Sequence, residues 1–171
     1  MQTHDAMSTA PIAVTGVTGR LAHTFLRDNL YLDFLRAMVG ADGVIRGPAG
    51  SGRAAAVAID DIADAAVTVL RSPGQHAGAT YDLTGPAALT FTEMAEVLTR
   101  ASGRPVSFHD ETVEEAYASR AQYGAPGWQV DAWVSTYTAV ANGELDGVTD
   151  VVPRLTGHPA TSLAELLRRP R

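Results

Sequence analysis

The chain has 171 residues, 46% of them apolar and 19% charged, with a formal net charge of −6. This composition fits one folded domain with a sizeable core and argues against a nucleic-acid partner, which needs surplus basic surface. Cysteine and lysine are both absent, which excludes disulfides, thiolate nucleophiles, Schiff-base lysines and any Tyr-x-x-x-Lys pair.

Residues 1–11 carry neither a basic start nor an apolar stretch of signal-peptide length, and no run approaches the ~20 apolar residues that span a bilayer. The expected compartment is the cytoplasm, with no membrane partner. Residues 1–10 are expected to be a disordered extension and 11–171 a single domain. The β-prone run Ile12-Ala13-Val14-Thr15 ends in Gly16-Val17-Thr18-Gly19, where glycines let the backbone turn tightly and approach a bound group. Residues 22–27 read as a strand. The alternative, one rebuilt helix over 21–39, would scatter Phe25, Leu26 and Arg27 over three faces.

From Leu30 the period changes. Leu30, Tyr31, Leu32, Phe34, Leu35, Met38 and Val39 share one broad face at 100° per residue, which predicts an amphipathic helix capped by Asp28 or Asn29 and closed by Gly40. The glycine-rich stretch 43–52 reads as an extended turn. Apolar residues 55–59 lead to Asp60-Asp61, either of which caps a helix through Ile62, Ala66, Val67 and Leu70 to about Arg71. Thr80-Tyr81-Asp82-Leu83 is the next strand, stopped by Gly85-Pro86. Thr90-x-x-Glu93 is a capping box opening a helix with Met94, Val97 and Leu98 inside. A short strand at 106–108 precedes helices at 113–122, 127–141 and 148–155. Ser162-x-x-Glu165 caps a last short helix.

The block Thr15-Gly16-Val17-Thr18-Gly19-Arg20-Leu21-Ala22 has the shape of a dinucleotide-binding turn, a motif that is weak alone. In order along the chain it is followed by Thr24-Phe25-Leu26-Arg27-Asp28-Asn29-Leu30-Tyr31, the turn at 46–53, Asp61-Ile62-Ala63 and Tyr81-Asp82-Leu83-Thr84-Gly85-Pro86. Gly103-Arg104-Pro105-Val106 and Leu155-Thr156-Gly157-His158-Pro159 close the series. Together these segments, covering most of 12–167, resemble the NmrA-like atypical short-chain dehydrogenases, nearest their NAD(P)H:quinone oxidoreductase-type branch.

The resemblance implies an α/β protein: an incomplete NAD(P)-binding Rossmann-like fold with a mostly helical C-terminal substrate lobe. Residues 11–22 would be the remnant of the dinucleotide turn and 23–171 the C-terminal part of the family fold. The glycine turn runs straight into the late strand at 24–27, as if a large internal segment were deleted. At ~30 residues per βαβ unit, on the order of a hundred residues would be missing, including the position that selects NAD from NADP. By resemblance, Gly16, Thr18, Gly19, Arg20 and Leu21 would hold NADP or NAD, with binding impaired, and Tyr31 would face a quinone-like acceptor. Asp28-Asn29 stands where the family has Asn-Gly.

The implied activity is NAD(P)H-dependent reduction of a quinone. The alternatives are a non-catalytic nucleotide-binding or sensor protein, or an inactive truncated member. A remnant sheet with open edges would favour a homodimer. Among single residues, Tyr31 reads equally as a core aromatic. Asp61 reads as a helix cap before an acid catalyst. Trp128, Trp133 and Tyr137 read as helix-packing aromatics or, as the second reading, as the lining of a quinone pocket. Glu111, Glu114 and Glu115 read as a solvated acidic face, and the five scattered histidines give no metal-site spacing.

Overall fold

The strands are short, two to four residues each, and the sheets are correspondingly small. The computed structural model describes residues 12–13 and 23–169. Among them, strands β1 (Ile12–Ala13), β2 (Phe25–Asp28), β3 (Val44–Gly47), β4 (Arg53–Ala54), β5 (Thr80–Leu83), β6 (Leu89–Thr90) and β7 (Ser107–Asp110) form three sheets. β2 lies between β1, which is antiparallel to it, and β5, which is parallel. β3 pairs in parallel with β7, and β4 in antiparallel fashion with β6. Helices α1 (Ile59–Arg71), α2 (Phe91–Ser102), α3 (Val113–Arg120), α4 (Gly127–Ala141), α5 (Val151–Thr156) and α6 (Leu163–Arg168) complete an α/β fold. No helix among the described residues is long and apolar enough to cross a membrane.

Three apolar clusters follow from the burial pattern among the described residues, the smallest being Ala116 with Val130 and Val134. Leu26 on β2 and Leu83 on β5 pack with Ile62, Ala65 and Val69 of α1 and with Val151 and Val152 of α5. Leu32, Leu35, Ile45, Phe91, Met94, Leu98, Tyr137 and Val140 form the largest one, in which the Phe91 ring lies 5.3 Å from Phe108 and 5.1 Å from Tyr137. Each fully buried side chain of this size contributes about 1.5–3 kcal/mol.

The strand Thr80–Leu83, the helix Gly127–Ala141 and the capping boxes at Thr90–Glu93 and Ser162–Glu165 stand where the sequence placed them. The helix expected over 30–39 does not form. The Leu30 carbonyl accepts from Val57 N–H and the Leu32 N–H donates to the Val57 carbonyl, so the backbone needed for a first turn is spent on a bridge at Tyr31. Only a 3-10 turn, Leu32–Phe34, and further turns remain. Asn29 does not cap a helix: its Oδ1 accepts from Leu30 N–H at 2.7 Å and its Nδ2 donates to the Leu145 carbonyl at 3.0 Å.

Three other expectations change. Val44–Gly47 of the glycine-rich stretch form strand β3, because β7 offers them a parallel partner. α1 begins at Ile59, one residue before the aspartates, and its Ile59 N–H is met from outside by Asp33 Oδ2 at 2.9 Å. On that helix Ile62 is buried, whereas Val67 and Leu70 are exposed and Ala65 and Val69 take the inner positions. α5 starts at Val151 because Thr149 is tied to the end of β5, its hydroxyl donating to the Asp82 carbonyl at 2.7 Å.

Candidate functional site

Ligands of open parallel sheets gather beyond the carboxyl ends of the strands. Here β2 ends in Asp28, whose side chain is only 6% exposed. The Tyr31 hydroxyl donates to its Oδ2 at 3.1 Å, and its buried Oδ1 has no hydrogen-bond partner among the described residues. Burial pushes the Asp28 carboxyl up from its ordinary value, the Tyr31 hydrogen bond opposing it. Burial, then the Asp28 charge and hydrogen bond, hold the Tyr31 phenol above its own ordinary range. The Tyr31 ring is half-buried against the Leu26–Ile62 core, as its reading as a core aromatic expects, and its hydroxyl meets a carboxyl. Arg27 turns away, its Nε donating to Asp82 Oδ1 on β5 at 2.6 Å.

A second concavity opens between the turn after Val39, the end of α3 and the middle of α4, with a volume of about 930 Å³. Met38, Arg46, Arg120, Tyr123, Trp133 and Tyr137 line it, and Tyr31 does not. The Tyr137 ring lies directly on Gly47, where an added Cβ would sit 2.3 Å from the ring. Arg120, 8% exposed, is fixed by Nη1 donating to Glu111 Oε2 at 2.9 Å and Nη2 donating to the Arg46 carbonyl at 3.0 Å. Its guanidinium stands 5.3 Å from the Tyr137 ring centroid.

No family model matches the chain. The NAD(P)H azoreductase of Xenophilus azovorans is 34% identical over 151 residues, which is 86% of this chain and 52% of that protein. Quinone oxidoreductase 2 of Escherichia coli (strain K12) is 32% identical over 148 residues, 85% of this chain and 51% of that one. The crystal structure of the NADPH-dependent quinone oxidoreductase from Escherichia coli complexed with NADPH superposes with a TM-score of 0.77 at 30% identity, over 86% of this chain and 53% of the other. The chain is similar to NAD(P)H-dependent azo and quinone reductases. It spans about half the length of the curated relatives it matches. NmrA itself, at 16% identity and a TM-score of 0.62 over 87% of this chain and 52% of NmrA, shares the fold.

In this chain, the glycine-turn residues Gly16, Thr18, Gly19, Arg20 and Leu21 lie outside the described residues, as does the extension at 1–10. The sequence singles out Tyr31 but not its carboxyl partner, since Asp28 reads there as a helix cap and as part of the pair that stands where the resembled family has Asn-Gly. Asp61 proves to be neither a cap nor open to solvent: it is buried and accepts from the Thr161 N–H at 2.7 Å and hydroxyl at 2.8 Å, tying α1 to the chain before α6. Trp133 and Tyr137 line the groove, whereas Trp128 is 72% exposed.

The acidic face holds at Glu114 and Glu115, which are exposed, and fails at Glu111, which is buried against Arg120; Glu115 also closes a capping box with Thr112. The signal was available, because Thr112-x-x-Glu115 fixes the helix start and leaves Glu111 outside it.

Proposed function

We propose that this chain carries the acceptor-facing part of an NAD(P)H-dependent oxidoreductase of the quinone-reductase type, acting on a quinone or similar planar acceptor. The observation that carries the reading is the Asp28–Tyr31 pair at the carboxyl end of β2. A nicotinamide, when bound, supplies a hydride. Two-electron reduction of a quinone takes up one hydride and one proton, so the protein's part is to orient the acceptor and deliver that proton. The Tyr31 phenol, held protonated by its surroundings, donates to the acceptor oxygen. Asp28, in the acid form that burial favours, donates to the Tyr31 oxygen, reversing the resting hydrogen bond, and so replaces the proton that the phenol gives up. The buried Asp28 Oδ1, without a partner among the described residues, fits this role as an atom able to meet a bound group.

Gly16, Thr18, Gly19, Arg20 and Leu21 would hold the cofactor phosphates and ribose, NADP or NAD. The reading includes weak cofactor binding, supported by the run of β1: Ala13 stands opposite Phe25, at the amino end of β2, whereas Tyr31 follows its carboxyl end. In a doubly wound sheet the glycine-turn strand runs parallel to its neighbours and ends on the ligand side. The reading also extends to a homodimer in the cytoplasm, for which the outer edge of β5, without a strand partner among the described residues, offers a pairing surface.

The test is fluorescence titration with NADPH and NADH, beside the Gly16→Asp, Gly19→Asp double variant, followed by turnover with 1,4-benzoquinone. Saturable binding lost in the double variant is expected, with turnover that falls by roughly 10²-fold in Tyr31→Phe. Binding without turnover would favour the non-catalytic nucleotide-binding alternative. Absence of binding at millimolar cofactor would sink the reductase reading for this chain.

A further inference from the structure

The groove beside α4 owes nothing to the Asp28–Tyr31 pair and is built from different chemistry. We propose that it is a binding site for a planar aromatic molecule carrying an anionic oxygen, an aromatic carboxylate or a phenolate. Its volume of about 930 Å³ lies within the ~300–1,000 Å³ usual for small-molecule sites. This assignment does not rest on the reductase reading, since Tyr31 is not part of the lining.

The aromatic preference comes from three rings. Tyr137 is seated on Gly47 and stacked against the core through Phe91, 5.1 Å between centroids. Tyr123 and Trp133 stand edge to face, 6.0 Å apart with their planes at 86°, so one presents a face where the other presents an edge. A flat ligand ring can extend that set by stacking or edge contact. Burial keeps the Tyr137 phenol protonated, which makes its hydroxyl a donor.

The anionic preference comes from where the charges sit. Arg46 and Arg120 both line the groove and Asp42 is the one carboxylate that does so, while Glu111, the counter-ion of Arg120, is not part of the lining. A ligand therefore meets the Arg120 guanidinium from the groove side with the balancing carboxylate behind it. Arg120 is fixed by its bonds to Glu111, the Ala116 carbonyl and the Arg46 carbonyl, so it needs little reordering to receive an oxyanion. Arg46 is held by Asp42 in an exposed ion pair, Nη1 to Oδ1 at 3.1 Å, of the weakly stabilising surface kind. A cationic ligand would face both guanidiniums, and a neutral one would leave their hydrogen-bonding capacity unused.

The chain has two tryptophans, which supplies an internal control. Trp133 lines the groove and Trp128 is 72% exposed outside it. The two indole N–H resonances are assigned with Trp128→Phe, and the protein is titrated with 2-naphthoate and with its neutral isostere 2-naphthamide, without nicotinamide. The expected result is a saturable shift of the Trp133 resonance alone, with naphthoate at least about tenfold tighter than the amide. In Arg46→Gln, folded by its amide spectrum, that preference should narrow. Equal affinity for the two probes, no saturable shift at millimolar naphthoate, or equal shifts of both indoles would overturn the proposal. Because the variable is the charge on the probe, the outcome is independent of whether NADPH binds.

Discussion

Two buried carboxylates in this chain live under opposite conditions. Glu111, 6% exposed, has an arginine at 2.9 Å, and Asp28, equally buried, has a tyrosine hydroxyl and an oxygen with no partner among the described residues. The first is a structural joint. Arg120 draws Glu111, the Arg46 carbonyl on β3 and its own helix into one network, and the groove wall depends on it. The second carries an unspent hydrogen-bonding atom at a strand end, a condition that costs stability and is found where a group is kept for chemistry. The difference teaches that burial alone does not mark a functional acid, and Asp61, buried without a counter-charge yet satisfied by Thr161, makes the unmatched oxygen the sharper sign.

The comparison breaks most visibly at Arg120. Arg120→Met should leave Glu111 buried and uncompensated, costing about 3–5 kcal/mol in urea unfolding. The Arg120→Met, Glu111→Gln double variant should recover most of that loss, since the charge is gone along with its partner. Equal instability of the single and double variants would mean that the arginine acts by packing and not as a counter-ion. A smaller effect is expected at Gly47, where the new Cβ meets the Tyr137 ring at 2.3 Å. Gly47→Ala should cost about 1–3 kcal/mol by overpacking and displace the ring from the groove floor, lowering naphthoate affinity. Retained stability and affinity would show that the ring moves aside freely.

Sequence reading located the elements whose cause is local. Capping boxes at Thr90 and Ser162 declare helix starts through residues three apart, and Thr80-Tyr81-Asp82-Leu83 is β-prone in isolation. It failed where a distant backbone decides: the amphipathic pattern at 30–39 gives way to the bridge between Tyr31 and Val57, which no periodicity announces. The site divides in the same way. Tyr31 came from an ordered series of motifs, while its link to Asp28 became visible only once the chain left the strand without entering a helix. Arg120 and Glu111 are nine positions apart and meet because α3 starts between them. The groove is assembled from segments more than seventy residues apart, Arg46 and Arg120 sharing a hydrogen bond across 74 positions.

The smallest expected effect is the sharpest in sign. Burial raises the Asp28 carboxyl above its ordinary value of 3.8. As pH rises past that value the unfolded chain loses the proton first and the folded chain keeps it, so the folded state binds more protons and stability falls with rising pH. The fall ends once the folded carboxyl ionises. Glu93 and Glu165 act oppositely, because hydrogen bonds within their capping boxes, joined at Glu93 by Arg53, hold them below their ordinary value of 4.5, so their stabilisation is lost on acidification. Their window lies lower, and the difference between wild type and Asp28→Asn cancels them. That difference curve, from thermal unfolding between pH 3 and 8, should decline for wild type relative to the variant from about pH 4 upward. Tyr31→Phe removes the hydrogen bond that opposes the shift and should carry the decline to higher pH. A flat difference curve would mean that Asp28 ionises like an exposed aspartate, and the contrast with Glu111 would then lie in packing and not in charge.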